Sequence, residues 1–334
     1  MVSLDLGSAL AGFGSHAGSS PSPFDAVDRH RLAGPTGSHP LHGIAIDELV
    51  RSGSGEATAD FVLDHPVRVG EGITGHVRVS AVEAIQGRSA HLRLVGLRLV
   101  ENRRSRQDHD AKGRVTHTET WVEVSGQLFV EDAFPEPAIP ASLVAGETFE
   151  APFAVPAPPL GPPTAHLGEA IVAWALEIRW DVPRARDTFV AVGIPVAQHP
   201  DLLRAGVGKQ GGLSLMDSVS VDGATIDVTS PLPATIGSAI RVRVRWPDAP
   251  GGREARVELH RRNTAPNAAE GIVASASVPS DSLASGEAAA RLMVPEGSAP
   301  SFDGAGLEVA YVIRVLVDRR FMPDAAIERP VGIA

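Results

Sequence analysis

Six arginines in two clusters are the side chains of this sequence with the most chemistry to offer. Arg103, Arg104 and Arg106 lie in the polar segment "ENRRSRQDHDAKGRVTHT", residues 101–118. Arg241, Arg243 and Arg245 alternate with Val242 and Val244, which puts the three guanidinium groups on one face of an extended strand. A guanidinium is a planar fork of donors that matches carboxylate or phosphate, so both clusters suit acidic protein surfaces or lipid headgroups. Each also has a plainer reading: the first as a hydrophilic loop, the second as a solvated face whose partner face, Ile240, Val242, Val244 and Trp246, turns inward.

Catalytic and metal chemistry find less to work with. A serine nucleophile on a G-x-S-x-G elbow is missing, and "SGSGE" (Ser52 to Glu56) reads as linker. "GVGKQGG" (Gly206 to Gly212) has a lysine among glycines. It lacks the four-residue spacing and the following Ser or Thr of a phosphate-cradling loop. His16, His30, His39 and His42 are candidate metal ligands, but they fall in a glycine-rich stretch with no acidic ligand to complete a fixed set. "DHD" (Asp108 to Asp110) reads as a solvated turn. No catalytic, cofactor-binding or metal-binding set converges, so the expectation is a protein that is not an enzyme and carries no cofactor.

The elements that must position the arginines are strands. "IVAWALEIRW" (Ile171 to Trp180) places Val172, Trp174, Leu176, Ile178 and Trp180 on one side of an extended chain and Ala173, Ala175, Glu177 and Arg179 on the other. This predicts a half-buried strand, followed by the charged turn "DVPRARD" and a second strand from Phe189 to Ile194. Short apolar runs punctuated by 34 glycines and 27 prolines recur throughout the 334 residues, and helical periodicity is scarce.

The stretches also repeat. "ATADFVLDHPVRVGEGITGHVR" (Ala57 to Arg78) lies over "ATIDVTSPLPATIGSAIRVRVR" (Ala224 to Arg245) without a gap, with Asp60/Asp227, Pro66/Pro233, Gly70/Gly237 and Arg78/Arg245 among the identical pairs. "GRSAHLRL" (Gly87 to Leu94) then answers to "GREARVEL" (Gly252 to Leu259), and Trp174 stands seven residues before Asp181 as Tyr311 stands seven before Asp318. The prediction is an all-β chain of two tandem immunoglobulin-like antiparallel β-sandwiches. Its divisions are a disordered Gly/Ser/Pro/His-rich tail over residues 1–54, a first sandwich over 55–200, a linker over 201–212 and a second sandwich over 213–334. Within the tail, "PLHGIAIDELVR" (Pro40 to Arg51) has the pattern of a short helix able to dock on the body or on a partner.

Charge and composition bound the partners. A formal net charge of −10 excludes a general nucleic-acid binder. No run approaches the length of a membrane span, which leaves at most peripheral contact through the arginines. Zero cysteines rule out disulfides and thiolate metal sites. With no basic flank and apolar run at the start, the expectation is a soluble cytoplasmic protein. Only Lys112 and Lys209 among the 30 basic residues are lysines, a bias that reflects a GC-rich genome.

In "FVLDHPVRVGEGITGHVRV" (Phe61 to Val79), the proline-rich "EAPFAVPAPPLGPP" (Glu150 to Pro163), the tryptophan hairpin and the ending "AYVIRVLVDRRFMPDAAIERPVGI", the chain resembles the arrestin-like family over residues 57–334. The bacterial sporulation-control members are the nearest comparison. The resemblance implies N- and C-type arrestin domains and a non-enzymatic scaffold or adaptor that binds protein partners through loops and sheet edges, possible roles including bacterial regulation or sporulation control. It places a partner-probing finger at residues 101–118. The sequence departs from the family in having no arginine between Thr188 and Val196 to act as a buried phosphate sensor, and no paired lysines in its opening strand. The alternative reading is an extracellular or cell-surface β-sandwich module for carbohydrate or protein ligands.

Overall fold

The structure, a computed structural model, describes residues 34–35, 41, 52–135, 137–156, 161–199, 218–221, 224–246, 252–263, 271–319 and 325–334. Their regular secondary structure is nearly all strand, with one five-residue helix among them, α1 (Ser280–Ala284). No helix among them is long and apolar enough to cross a membrane. The chain divides at Ala197/Gln198 into two compact units. The expected linker, residues 201–212, lies outside the described residues.

In chain order the strands of the first unit are β1 (Gly34–Pro35), β2 (Ser52–Gly53), β3 (Ala57–Leu63), β4 (Val67–Arg68), β5 (Ile73–Ala81), β6 (Ile85–Gln86) and β7 (Ser89–His109). They continue with β8 (Val115–Phe134), β9 (Ser142–Leu143), β10 (Thr148–Val155), β11 (Ala165–His166), β12 (Ala170–Asp181), β13 (Thr188–Ile194) and β14 (Val196–Ala197). The large sheet runs β1-β8-β7-β12-β13-β2, with β11 also on β12, and the small sheet runs β10-β5-β3. Alternation explains both: Ile73, Val77, Val79 and Ala81 of β5 are buried while His76 and Arg78 between them are exposed. Trp174, Leu176, Ile178 and Trp180 of β12 are buried at 0–1% exposure, as the every-second-residue pattern predicts.

The second unit has β15 (Ser218–Val221), β16 (Ala224–Val228), β17 (Ala239–Arg245), β18 (Gly252–Asn263), β19 (Gly271–Val278), β20 (Glu287–Met293), β21 (Phe302–Gly304), β22 (Leu307–Arg319) and β23 (Ala325–Val331). Its sheets run β15-β16-β17-β20 and β19-β18-β22-β21, with β23 on β22. The order β10-β5-β3 is matched by β20-β17-β16. The order β8-β7-β12-β13 is matched by β19-β18-β22-β23. The repeat in the sequence is therefore a repeat in strand order.

Polar details repeat as well. Trp174 donates its indole N–H to the Pro162 carbonyl at 2.9 Å, and Tyr311 donates its hydroxyl to the Ala299 carbonyl at 2.7 Å. Both rings are at most 2% exposed and both acceptors stand twelve residues earlier, so each large side chain buries its apolar body and still satisfies its polar end. Gly70 and Gly237 have φ of 83° and 80° and each sits in a turn closed by a backbone bond, Glu71 to Arg68 and Ser238 to Thr235. A left-handed backbone there needs glycine.

Three expectations change. Strand β12 is buried on both faces: Ala173, Ala175 and Glu177 are 0–1% exposed, because β12 is central and its outer side is covered too. Residues 101–118 are not an irregular loop but the end of the β7–β8 hairpin, paired residue by residue from Arg103↔Val122 to His109↔Val115. The part of the expected tail that is described is held: β1 pairs with β8, β2 pairs with β13, and Leu41 is fully buried. Ser54 also exchanges bonds with the backbone of Phe189, so "SGSGE" is no free linker.

The twin glycines give a test. A Cβ at Gly237 would meet only Glu296 Cγ at 3.7 Å, so Gly237→Ala isolates the backbone penalty. We expect a loss of about 1 kcal/mol and a melting temperature lower by about 2–4 °C in thermal denaturation followed by circular dichroism. Gly297→Ala, with open space and no positive φ, should leave the curve unchanged.

Candidate functional site

The first arginine cluster sits on a two-stranded ribbon. Beyond Val100, β7 has lost its pairing with β12, and among the described strands β8 meets β1 only at Trp121 and Val122. From Arg103 to His109 and from Val115 to Thr120 the ribbon therefore presents two backbone edges that no other described residue pairs with, and every residue is exposed. At about 3.3 Å per residue, seven residues extend it about 23 Å. The turn from Asp110 to Arg114 forms its tip: Asp110 Oδ1 accepts the backbone N–H groups of Lys112 and Arg114 at 2.8 and 2.9 Å. That carboxylate closes the turn, so of "DHD" Asp110 alone is a turn residue, while Asp108 and His109 are still paired in β7. Over residues 103–120 five basic side chains (Arg103, Arg104, Arg106, Lys112, Arg114) face three acidic ones (Asp108, Asp110, Glu119), on a chain whose net charge is −10.

Each arginine of the first cluster already has a carboxylate: Arg103 with Glu169 at 3.6 Å, Arg104 with Glu123 at 3.0 Å and Arg106 with Asp108 at 3.3 Å. Their side chains are 57–72% exposed, so such pairs contribute roughly 0–1 kcal/mol each and exchange readily for a partner's carboxylates.

The second cluster lies on β17 as the alternation predicts, with Arg241, Arg243 and Arg245 exposed and Ile240, Val242 and Val244 buried. Trp246 is half-buried. Arg243 pairs with Glu287 at 3.1 Å and Arg245 bonds Asp227. The hydrogen bond that Arg245 donates to Asp227, then the charge of that carboxylate, raises the Arg245 pKa further. Arg241 stands directly opposite Arg291 of β20 and makes no ion pair among the described residues. Two like charges facing each other across strands repel, and an added anion relieves them. The two clusters belong to different units.

The remaining candidates do not assemble a centre. Among the described residues no group of three or more His, Asp or Glu side chains is placed to hold a metal ion. His16, His30, His39 and His42, and the glycines and lysine of residues 206–212, lie outside the described residues.

Sequence reading missed the polar contacts on the outer face of the large sheet. Arg93 Nη1 donates to Glu177 Oε1 at 2.5 Å with both side chains at most 5% exposed. Alternation assigns Glu177 to a solvated face, and only its burial on a central strand shows it to be part of an ion pair. In the second unit the matching cross-strand pair is Glu258↔Arg314, with the signs exchanged. There Glu258, 2% exposed, is bonded by His260 at 2.7 Å, while Arg314 turns to Glu328 at 3.6 Å. Leu41 is a second omission: its backbone N–H donates to Glu101 Oε1 at 2.6 Å and its carbonyl accepts from His166 Nε2 at 2.8 Å. The pattern "PLHGIAIDELVR" was the one signal for it. Apart from Leu41 the proposed helix there lies outside the described residues.

Two measurements follow. Glu177→Gln strips Arg93 of its carboxylate and should cost about 3–5 kcal/mol in urea unfolding, whereas replacing both partners by leucine should recover most of the loss. His91 is held below its ordinary value of 6.5, first by burial and then by the charges of Arg93 and Arg179, against Asp187 and Asp181. The folded state then binds this proton less readily than the unfolded chain, so its contribution is complete above 6.5 and is lost as pH falls below it. A pH series of urea midpoints should show that acid-side loss reduced in His91→Gln. No protein-family model and no curated protein matches this sequence.

Proposed function

We propose that the protein is a non-enzymatic arrestin-like scaffold of two tandem immunoglobulin-like sandwiches, working in the cytoplasm of a bacterium, that holds a protein partner through the β7–β8 ribbon. The observation that carries the reading is the ribbon itself. A two-stranded hairpin standing clear of its sheet gains little stability for the chain, yet among the described residues it displays two unpaired edges, with a basic surplus on an acidic protein. An open edge takes up an extended segment of another chain by backbone hydrogen bonds, and the arginines then select acidic side chains beside it. The matched strand order of the two units supports the arrestin-like part. The arginine row of β17, with Arg241 facing Arg291, supplies a second basic surface of the same kind.

The test removes Ser105–Thr120 and joins Arg104 to Trp121, opposite each other in register, through Asn-Gly. Partners of the intact and shortened proteins are compared by in-cell cross-linking and mass spectrometry. We expect an acidic partner to be lost from the shortened protein, and its affinity to fall about tenfold or more on triple reversal of Arg103, Arg104 and Arg106 to glutamate. An unchanged partner set would refute the ribbon's role. A robust catalytic turnover abolished by a single polar substitution would replace the scaffold reading altogether.

A further inference from the structure

Beside the Arg93–Glu177 pair, the outer face of the large sheet, opposite the tryptophans, carries an apolar patch. Val95 and Leu97 of β7, Ile171, Ala173 and Ala175 of β12 and Ala191 of β13 form one buried cluster there, each at most 2% exposed. Leu41 belongs to the same cluster and is itself 0% exposed. A leucine brought from far along the sequence thus fills an apolar depression on a sheet face.

Its backbone is read at the same time. Glu101, 2% exposed, directs a carboxylate oxygen at the Leu41 N–H, a strong charge-assisted bond at 2.6 Å. His166 reads the other side. Gly168 can only donate its backbone N–H to His166 Nδ1, at 3.1 Å, which leaves the proton on Nε2 to bond the Leu41 carbonyl at 2.8 Å. One acceptor, one donor and an apolar floor around a single residue make up the chemistry of a peptide-binding site.

We propose that this face is a peptide-binding site and that its occupant, in cis, is the chain's own amino-terminal segment seated through Leu41. The flanks argue for that occupant: β1 lies on one edge of the sheet, at Trp121 and Val122, and β2 on the other, at Val190 and Ala191. Leu41 comes between them in sequence and lies on the face between those edges. A covalently joined ligand has a millimolar effective concentration, so modest intrinsic affinity suffices to keep the site filled. Another peptide offering an apolar side chain between a free N–H and a free carbonyl can replace it.

The experiment keeps the whole chain and the body unmutated. A specific protease site is inserted at Gly55, which is exposed with open space around it, and the purified protein is cut. The expected result is that the amino-terminal fragment stays bound through size exclusion and is displaced by excess synthetic peptide of residues 34–53. The same peptide carrying Leu41→Asp should need about 30-fold more for equal displacement, since a buried leucine is worth at least about 2 kcal/mol. Backbone amides of Val95 and Ala173 should gain hydrogen exchange when the site empties. The proposal is overturned if the two peptides compete equally, if the fragment cannot be displaced short of unfolding, or if it leaves with exchange unchanged. A doubled mass before cleavage, with the fragment seated on a second copy, would overturn the assignment in cis.

Discussion

Strand β12 has no side that meets water, and much of the first unit follows from that. Its inner row packs Trp174, Leu176, Ile178 and Trp180 into the core, and its outer row buries Ala173, Ala175 and Glu177. A central strand closed on both faces must satisfy every polar group it carries. Trp174 and Trp180 do so by donating to the carbonyls of Pro162 and Pro140, which pins two proline-rich connections against the sheet. Glu177 does so with Arg93. The small alanines of the outer row leave the depression that Leu41 fills.

The second unit shows the same scheme with its charges altered. Tyr311 repeats the hydrogen bond of Trp174 over the same twelve-residue separation, although the side chain and the donor atom differ. At the charged position, arginine against glutamate became glutamate against arginine. A strand β22 that entered the first unit in place of β12 would set Arg314 against Arg93, and β12 in the second unit would set Glu177 against Glu258. Like charges in a buried pairing are costly, so neither exchanged strand would keep the opposite-charge pairing of its place.

The ribbon shows the opposite economy. Everything from Arg103 to Thr120 is exposed, its ion pairs are weak, and among the described residues its edges are open. The polarity of residues 101–118 was legible in the sequence, and so was their position between two strands. Their pairing was not: no apolar alternation marks a strand that has no core to face, so polar ribbon and polar loop read alike. The opening strands of the two units illustrate a similar limit. Asp60 stands opposite Arg78, whereas Asp227 stands opposite Arg243 rather than Arg245, a slip of two residues. A shift of two keeps every side chain on its face, so the hydrophobic pattern is indifferent to it.

The sequence by itself determined the all-β character, the inward tryptophans, the repeat with its paired glycines and the exposed row of Arg241, Arg243 and Arg245. Each of these is local: period-two alternation and left-handed turns are written in neighbouring residues. Tertiary structure alone decided that Glu177 and Glu101 are buried and that Leu41 lies on the sheet. Those facts depend on what covers a face, and cover comes from residues tens of positions away, 60 between Leu41 and Glu101 and 84 between Arg93 and Glu177. Periodicity tells which side chains share a face of a strand, while only the assembled sheet tells which of its two faces is left to water.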